Sequence, residues 1–384
     1  MRKIVLGGKQ IITGAGSLSY LEELAFHKVL VVTGGKSMIE TGVIDRAVSY
    51  LKSESCEVRV HAGVLKNPSI EQVTEGLHVM REFAPEAVIA IGGGSAMDCA
   101  KAMLLFYEFP QLNFDNVLRY NQEGRIPADR KTALICIPST SGTGSEVTRG
   151  TVITDTAKEL KVPIMTDCLR PDLAILDAEL AMTMPRRIAA ETGMDALTHA
   201  IEAYTNHNLD DFDEGLCKSA IEGIMKWLLI SYEEGTLEAR EKIHHYQAMA
   251  GIGFANVGLG MVHGIAHSYG AVFDMAHGLT NAIILPYVLT YNRRNETVRE
   301  KLEKLSYHCR CEDIVEEIKK LNENMMIPDC FLKAGITEEQ FGEKYQILLD
   351  HAMIGATNVN PVKMERSAME KMLQATFYGK EIDF

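Results

Sequence analysis

The sequence is short of basic charge. Its 39 lysine and arginine residues are outnumbered by 52 aspartate and glutamate residues, which gives a formal net charge of −13. This balance argues against nonspecific binding to nucleic acid and against docking on an anionic membrane surface, because both need a basic footprint. We therefore expect neither partner. Local binding of a phosphate group by backbone amides is still allowed.

Long apolar runs and cysteine pairs are also missing. No stretch approaches the ~20 apolar residues of a transmembrane helix, and the N-terminal MRKIVLGGKQ holds no apolar segment of signal-peptide length. The eight cysteines are scattered without a CxxC pair. Several, such as Cys136 in ALICIP, lie in apolar runs, where a free thiol behaves as a small hydrophobic side chain. We expect a reduced, cytoplasmic protein without a disulfide framework.

The chain contains two halves with different hydrophobic patterns. Its 384 residues correspond to about two or three domains. Up to residue 183, short apolar runs alternate with helical periods, which is typical of a parallel sheet covered by helices. The expected strands are KVLVVT (28–33), EVRVH (57–61), AVIAI (87–91), ALICI (133–137) and DLAIL (172–176). One helical period runs from Ser37 to Leu51, and a hairpin added to the sheet is expected around Asp155.

From Pro185 onward helical periods dominate and convincing strands are absent. The expected helices are 185–206, 212–231, 237–255, 259–270, 279–291, 296–306, 312–323 and 363–377. The predicted fold is an α/β N-terminal domain over 1–183 and an all-α C-terminal domain over 184–384. The cleft between the two halves is the natural place for a site.

Two loops of small residues follow strands in the first half. Gly92-Gly93-Gly94-Ser95 follows AVIAI and begins a helix, where free N–H groups and the helix dipole favour a phosphate. It is neither a GxGxxG nor a Walker pattern. A plain turn, with Ser95 and Asp98 forming a helix capping box, is the alternative. The second loop, PSTSGTGSE (138–146), follows ALICI. Because ligands of open parallel sheets bind at the carboxyl ends of strands, the two loops together predict a dinucleotide site.

The segment after KVLVVT bears on which dinucleotide binds. Sites selective for NAD usually place Asp or Glu where it accepts a hydrogen bond from the ribose 2′-hydroxyl. Here the chain has Gly34, Gly35, Lys36 and Ser37 instead. Small and cationic residues tolerate a 2′-phosphate, so we expect NADP(H) to be favoured over NAD(H). The alternative is that Lys36 and Ser37 merely start a helix.

Seven of the twelve histidines fall between His199 and His277. Asp195 and His199 are four residues apart, as are His263 and His267, so each pair projects from one face of a helix. An aspartate with several imidazoles suits iron or zinc with an open position for a substrate oxygen. The predicted ligands are Asp195, His199, His263 and His277.

Each of these signals has an ordinary alternative. A lone histidine in an apolar helix is more often a satisfied core residue than a ligand, and Asp195 with His199 could be a surface ion pair. Their apolar neighbours indicate burial instead, where an uncompensated carboxylate is costly. We expect His207 and the His244–His245 pair to be solvated, because they lie in polar segments.

Together these segments resemble the iron-containing (group III) alcohol dehydrogenases nearly from end to end, and most of all the branch of lactaldehyde reductase and propanediol dehydrogenase. The resemblance is carried by GGGSAMDCAK (92–101), IPSTSGTGSEVT (137–148), GMDALTHAIEAY (193–204), NVGLGMVHGIAHSYGA (256–271) and AHGLTNAIILP (276–286). It implies a Rossmann-like dinucleotide-binding domain followed by a helical metal-binding domain, an architecture like that of dehydroquinate synthase. It also implies a homodimer or larger assembly.

The resemblance implies roles for individual residues. The four predicted ligands match the family's metal ligands, with Fe(2+) or Zn(2+) as the ion, and His267 matches the histidine beside the nicotinamide. The cofactor contacts that it implies are Asn67, Gly93, Gly94, Ser95, Asp98, Thr140, Ser141, Thr143 and Lys161. The chain departs from the family in lacking the NAD-reading aspartate, and in having Ser139 and Ser141 where Thr and Ala are usual.

The expected activity is hydride transfer between NAD(P)(H) and a small alcohol or aldehyde, with a metal ion as Lewis acid and His267 as proton relay. Three alternatives stay open: a zinc polyol dehydrogenase, a dehydroquinate synthase-like lyase without net cofactor turnover, and a non-catalytic metal-binding helical protein. The last leaves the two loops unexplained.

Overall fold

The computed structural model describes residues 3–51 and 56–384. The chain divides into two compact units, Met1–Met184 and Pro185–Phe384. Each unit has its own hydrophobic clusters: two lie within the first unit and one within the second.

The described residues of the first unit form eight strands, of which six make a parallel sheet. The eight strands are β1 (Gln10–Thr13), β2 (Lys28–Gly34), β3 (Glu57–Val64), β4 (Ala87–Gly92), β5 (Ala133–Pro138), β6 (Gly150–Asp155), β7 (Leu160–Met165) and β8 (Leu173–Leu176). The sheet order is β1-β8-β5-β4-β2-β3. Along β2, Leu30 and Val32 belong to one hydrophobic cluster while Val29 and Val31 belong to the other. The sheet is therefore covered on both faces, which confirms the prediction from its continuous apolar strands.

Three local features differ from the sequence predictions. β6 and β7 form a separate antiparallel pair instead of extending the parallel sheet. The helical period from Ser37 to Leu51 is broken into α1 (Ser37–Glu40) and α2 (Val43–Leu51), because Gly42 between them has a φ of 72°, a left-handed conformation that ends a helix. β1 was not predicted. It is an edge strand with mostly exposed residues, so it has no apolar run.

The remaining helices of the first unit flank the sheet. They are α3 (Ile70–Phe83), α4 (Gly94–Glu108), α5 (Val117–Gln122) and α6 (Ala178–Ala181). The sequence places α4 directly after β4, and ten of its fifteen residues are buried. Such a helix is anchored against the sheet, which fixes the position of its N-terminus.

The second unit is helical, with no strand in its described residues. Its helices are α7 (Arg186–Thr205), α8 (Asp211–Glu233), α9 (Leu237–Val257), α10 (Met261–Phe273), α11 (His277–Asn292), α12 (Glu296–Cys309), α13 (Ile314–Asn324), α14 (Glu338–Ala352) and α15 (Arg366–Tyr378). The sequence patterns predicted all of these except α14. Its start is marked by a capping box of Thr337 and Gln340, a signal that was available in the sequence.

α11 contains a proline whose effect is compensated by a neighbouring helix. Pro286 has no N–H, so it cannot donate the usual helical hydrogen bond to the carbonyl of Ala282. Asn322 on α13 supplies that donor, because its Nδ2 lies 2.8 Å from the Ala282 oxygen. The helix therefore continues through the proline, with its carbonyl satisfied from outside.

Among the described residues, no single helix is both long and apolar enough to cross a membrane. One bent pair, α9 with α10, meets that test of length and composition when the two are taken together, with 104° between them.

Candidate metal centre and dinucleotide loops

The four predicted ligands meet in the helical unit. Asp195, His199, His263 and His277 each offer one ligand atom, and these atoms all lie within 4.8 Å of one another. Asp195 Oδ1 is 3.9 Å from His199 Nε2, 3.8 Å from His263 Nε2 and 3.6 Å from His277 Nε2. These separations are too long for hydrogen bonds. Two ligands bound to one ion at about 2.1 Å in tetrahedral geometry lie about 3.4 Å apart, so the donor set fits a divalent metal.

Three helices bring these side chains together. α7 carries Asp195 and His199 one turn apart, α10 carries His263, and α11 begins at His277. Glycine allows the close approach that this requires: a Cβ on Gly278 would run into the backbone carbonyl of Glu191 on α7. The first turn of α11 therefore lies directly against α7, which places His277 beside Asp195.

Three of the four proposed ligands are buried. Asp195, His199 and His263 are at most 5% exposed, whereas the His277 side chain is 26% exposed. Burial alone would raise the pKa of the Asp195 carboxyl, but the imidazoles of His199, His277 and His263 outweigh burial and hold that pKa far below its usual range. His277 is therefore the most exposed member of the ligand set.

Two further polar side chains contact the ligands and were not predicted. Glu202 Oε2 is 2.5 Å from His263 Nδ1, and Asn281 Nδ2 is 2.7 Å from Asp195 Oδ1. Burial opposes the charge on His263, but the carboxylates of Glu202 and Asp195 together outweigh burial and raise the pKa of His263 to about 9. Their spacing was a usable signal: Glu202 is seven residues after Asp195, and Asn281 is four residues after His277, so each lies on the ligand-bearing face of its helix.

The predicted proton relay lies beside the ligands. His267 is one turn after His263 on α10, and its ring stacks on that of His277 with centroids 5.1 Å apart. It is half-buried. A half-buried imidazole next to His277, the most exposed of the four ligands, suits exchange of a proton with solvent.

The expectation that the His244–His245 pair is solvated is wrong for His244, which is fully buried. Its neighbours along the same face of α9, Arg240 and Gln247, are buried too, so the polar sequence there conceals an interior face. His245 is half-buried, and burial lowers its pKa. His207 is exposed, as predicted.

The two glycine-rich loops of the first unit lie against each other. β4 and β5 are paired so that Gly92 is opposite Pro138, and both loops start there. A Cβ on Gly94 would lie 2.6 Å from Thr143 Cγ2, and one on Gly93 would lie 3.4 Å from Thr140 Oγ1. The structure therefore brings Gly93, Gly94, Thr140 and Thr143 together at one edge of the sheet. Ser95 lies in the first turn of α4 beside them, and Ser141 is buried within the second loop.

The capping-box alternative for this turn is wrong. Gly93 is the residue before α4, and no side chain caps that end of the helix. Asp98 points elsewhere: its carboxylate accepts hydrogen bonds from Ser145 Oγ and from the backbone N–H of Val152, both at 3.3 Å. The first backbone N–H groups of α4 thus keep the anion-binding character expected of a helix N-terminus.

A buried lysine that was not predicted fixes the second loop. Lys101 Nζ donates to the backbone carbonyls of Ser145 at 2.6 Å, Thr148 at 3.1 Å and Gly150 at 2.9 Å. Burial lowers the pKa of Lys101. A lysine within the otherwise apolar run from Cys99 to Phe106 was the sequence signal. Lys101 therefore links the end of the second loop to α4, the helix that follows the first loop.

The remaining cofactor candidates lie in two places. Lys161 Nζ donates to Asn67 Oδ1 at 3.0 Å, so these two residues are brought together, and Asn67 has a left-handed backbone with a φ of 54°. Gly34 ends β2, while Gly35, Lys36 and Ser37 are exposed. α1 begins at Ser37, so this segment does start a helix, as the alternative interpretation expected. A contact with the cofactor is compatible with that position.

The fold and the site define a class: an oxidoreductase with a dinucleotide-binding sheet and a helical unit that carries an Asp-His metal cluster. Two family models make the class specific. The model of the iron-containing alcohol dehydrogenases matches residues 8–178, and the model of the C-terminal part of the Fe-containing alcohol dehydrogenase family matches residues 189–377. The chain belongs to the iron-containing alcohol dehydrogenase family, and it is an NAD(P)-dependent enzyme.

Individual relatives agree with this family. The chain is 41% identical over 387 residues to an NADPH-dependent butanol dehydrogenase from Clostridium saccharobutylicum, with 98% of each chain covered. An iron-containing alcohol dehydrogenase from Thermococcus thioreducens matches in structure with a TM-score of 0.90 and 34% identity, over 98% of this chain and 100% of that one. A 1,3-propanediol oxidoreductase matches with a TM-score of 0.87 and 27% identity, over 98% and 100%. These matches favour an alcohol dehydrogenase over the lyase and over the non-catalytic protein.

Proposed function

We propose that this enzyme interconverts small aldehydes and alcohols with NADP(H) in preference to NAD(H), at an iron or zinc ion held by Asp195, His199, His263 and His277. The observation that carries the proposal is the convergence of four ligand atoms, from three helices, within 4.8 Å. Residues 1–183 would bind the dinucleotide and residues 184–384 the metal.

The cofactor preference is supported by the segment after β2. Gly35, Lys36 and Ser37 are exposed there, and none is the carboxylate that pairs with a ribose 2′-hydroxyl. A lysine favours the extra negative charge of a 2′-phosphate. The butanol dehydrogenase relative is itself named as NADPH-dependent.

The chain's own residues divide the work. When bound, the metal ion supplies a Lewis acid for the substrate oxygen, and the nicotinamide supplies the hydride. The backbone N–H groups at the start of α4 bind the diphosphate, while Lys101 and Asp98 hold the second loop in place. The burial of Asp195, His199 and His263 keeps water from the ligand atoms. His267 carries a proton on its imidazole between the site and solvent, since imidazole titrates near neutrality.

We also propose a cytoplasmic location and a homodimeric or larger assembly. All eight cysteines are free, which suits a reducing compartment. The assembly is proposed from the resemblance to the family.

One set of measurements tests the activity and the cofactor. The protein is stripped of metal, reloaded anaerobically with Fe(II) or Zn(II), and assayed with short aldehydes and alcohols and either cofactor. We expect kcat/KM with NADPH to exceed that with NADH by about tenfold or more, equivalent to about 1.4 kcal/mol. A preference for NADH would refute our interpretation of the segment from Gly34 to Ser37.

The metal assignment is tested in the same assay. We expect His263→Ala to lose both bound metal and turnover, because it removes one of the four ligand atoms. His207→Ala, an exposed histidine of the same unit, should keep both. Normal metal content and normal rates for His263→Ala would refute the proposed site.

A further inference from the structure

Two buried side chains outside the proposed ligand set contact the His263 ring, one at each ring nitrogen. Glu202 Oε2 lies 2.5 Å from Nδ1, and Asn281 Nδ2 lies 3.2 Å from Nε2. Glu202 is 4% exposed, Asn281 0% and His263 1%. In such a site each polar contact is desolvated, so its donor and acceptor roles are strictly constrained.

Glu202 determines which ring nitrogen carries the proton. An ionised carboxylate only accepts hydrogen bonds, so His263 Nδ1 must be the N–H donor. The other carboxylate oxygen accepts the backbone N–H of Val262 at 2.7 Å, within the first turn of α10. The carboxylate is therefore fixed by the same helix that carries His263, and it cannot swing away from the ring without leaving that N–H unsatisfied.

Asn281 acts on the opposite nitrogen. Its Nδ2 lies 2.7 Å from Asp195 Oδ1 and 3.2 Å from Nε2 of both His263 and His277. The amide NH2 has two protons, so it cannot donate a separate hydrogen bond to each of the three atoms, and the shortest contact, to Asp195 Oδ1, uses one of them. The reverse orientation of the amide would set its oxygen against the carboxylate oxygen of Asp195. The surroundings therefore select the donor orientation.

From these contacts we propose that Glu202 is a positioning residue, which accepts the Nδ1–H of His263 and so directs Nε2 at the other ligand atoms. This inference rests on the proposed metal site. Because Glu202 engages Nδ1, Nε2 is the ring nitrogen that remains to bind an ion, and the ring need not rotate when it does. Asn281 Nδ2 contacts the same Nε2, so it would have to move away when the ion binds and has no part in the proposal. Loss of an outer-shell partner such as Glu202 typically weakens metal affinity about 10–100-fold.

The affinity is measured with Co(2+) as the probe, by visible absorption of the bound ion in competition with a chelator. We expect Glu202→Gln to raise the dissociation constant about 10–100-fold. Asp213→Asn is the matched control, because it makes the same change at a buried carboxylate of the same unit that contacts Asn256. We expect it to alter stability and leave the Co(2+) affinity unchanged.

A second measurement reports the tautomer itself. In the metal-free parent at about pH 10, above the pKa of about 9 of His263, the ring is neutral. Under that condition ¹⁵N NMR of labelled histidines should show His263 with its proton on Nδ1, and Glu202→Gln should shift the ring toward the other tautomer. A purely structural role for Glu202 would leave that signature unchanged. If Glu202→Gln fails to fold, the parent spectrum still decides, since a proton on Nε2 of His263 overturns the inference.

The outcomes separate this inference from the function on which it rests. If the parent binds Co(2+), His263→Ala does not, and Glu202→Gln binds as tightly as the parent, the inference is overturned and the metal site stands. If the parent binds no Co(2+), or His263→Ala binds it equally well, the metal site and the inference both fall.

Discussion

Asp98 is a half-buried residue of the first unit, whose carboxylate accepts two hydrogen bonds, both 3.3 Å long. Burial raises its pKa from an ordinary value near 3.8 to about 6, against the opposing charge of Lys101. The resemblance implied that Asp98 contacts the cofactor. In the fold it accepts hydrogen bonds from Ser145, within the second loop, and from Val152 on β6, so its effect on a dinucleotide would be through that loop.

This raised pKa predicts a pH-dependent stability. Between pH 4 and 6 the folded protein keeps a proton on Asp98 that the unfolded chain releases, so the free energy of unfolding falls as the pH rises through this range. A rise in pKa from 3.8 to about 6 corresponds to about 3 kcal/mol at most. We therefore expect Asp98→Asn to gain up to that amount relative to the parent between about pH 4 and pH 7.

Urea unfolding of both proteins across that range measures the difference. Asp129→Asn is the control, because Asp129 is an exposed acid of the same unit and should follow the parent. A constant difference between Asp98→Asn and the parent at every pH would contradict the prediction.

The residues that sequence reasoning found and missed differ in where their partners lie. The four proposed ligands were predictable because an Asp and His four residues apart, with further histidines in apolar helices, form a recognisable pattern. The spacing of Glu202 and Asn281 places each on a ligand-bearing helix face, but their partners are 61 and 86 positions away in the chain, so no local pattern contains the contact itself. His244 was misjudged for the same reason, because burial of a polar helix face depends on what packs against it.

At the scale of elements, α11 and α13 depend on each other through one hydrogen bond. Pro286 deprives the Ala282 carbonyl of its helical donor, and Asn322 replaces that donor. We expect Asn322→Leu to cost about 1–3 kcal/mol, because it leaves a buried carbonyl unsatisfied. In a Pro286→Ala background the new N–H at position 286 can serve Ala282, so the same substitution should cost about 1 kcal/mol less.

A double-mutant cycle measured by urea unfolding tests this coupling. Thr376→Val, which alters a buried hydroxyl on α15, serves as a third substitution that should add independently to Pro286→Ala. If the losses in the free energy of unfolding from Pro286→Ala and Asn322→Leu are additive, the Ala282 carbonyl gains no donor within α11 and the prediction is wrong.

The predicted elements follow the same logic of burial. β2, β4 and β5 were predictable because strands covered on both faces need continuous apolar runs. β1 was not, since an exposed edge strand needs none. The break at Gly42 was also missed, because the apolar period continues across it while a left-handed residue interrupts the backbone.

At the scale of the whole molecule, the hydrophobic clusters divide between the two units. The buried members of one cluster run from Ala190 to Phe377, and those of the other two lie between Leu18 and Leu180. All four proposed ligands belong to the second unit. Metal binding should therefore stabilise that unit selectively, by about 2.7 kcal/mol when the ion is present at 100 times its dissociation constant.

Hydrogen exchange followed by mass spectrometry measures this effect region by region. We expect Co(2+) to slow exchange in α7, α10 and α11 and to leave β2, β4 and β5 unchanged. NADP(H) should have the reverse effect, slowing exchange at the start of α4 and in the second loop. Equal slowing by Co(2+) in both units would contradict the prediction.

The spread of the proposed ligands along the chain has a consequence for biosynthesis. Asp195 and His277 belong to different helices, so no site exists in the nascent chain until α7, α10 and α11 have packed. Because the helical unit has its own large hydrophobic cluster, we expect it to fold before the ion binds, unlike small zinc domains that fold only around their metal. We expect the polypeptide to be made and to persist when iron is scarce, as a reserve of apoenzyme that gains activity on loading without refolding.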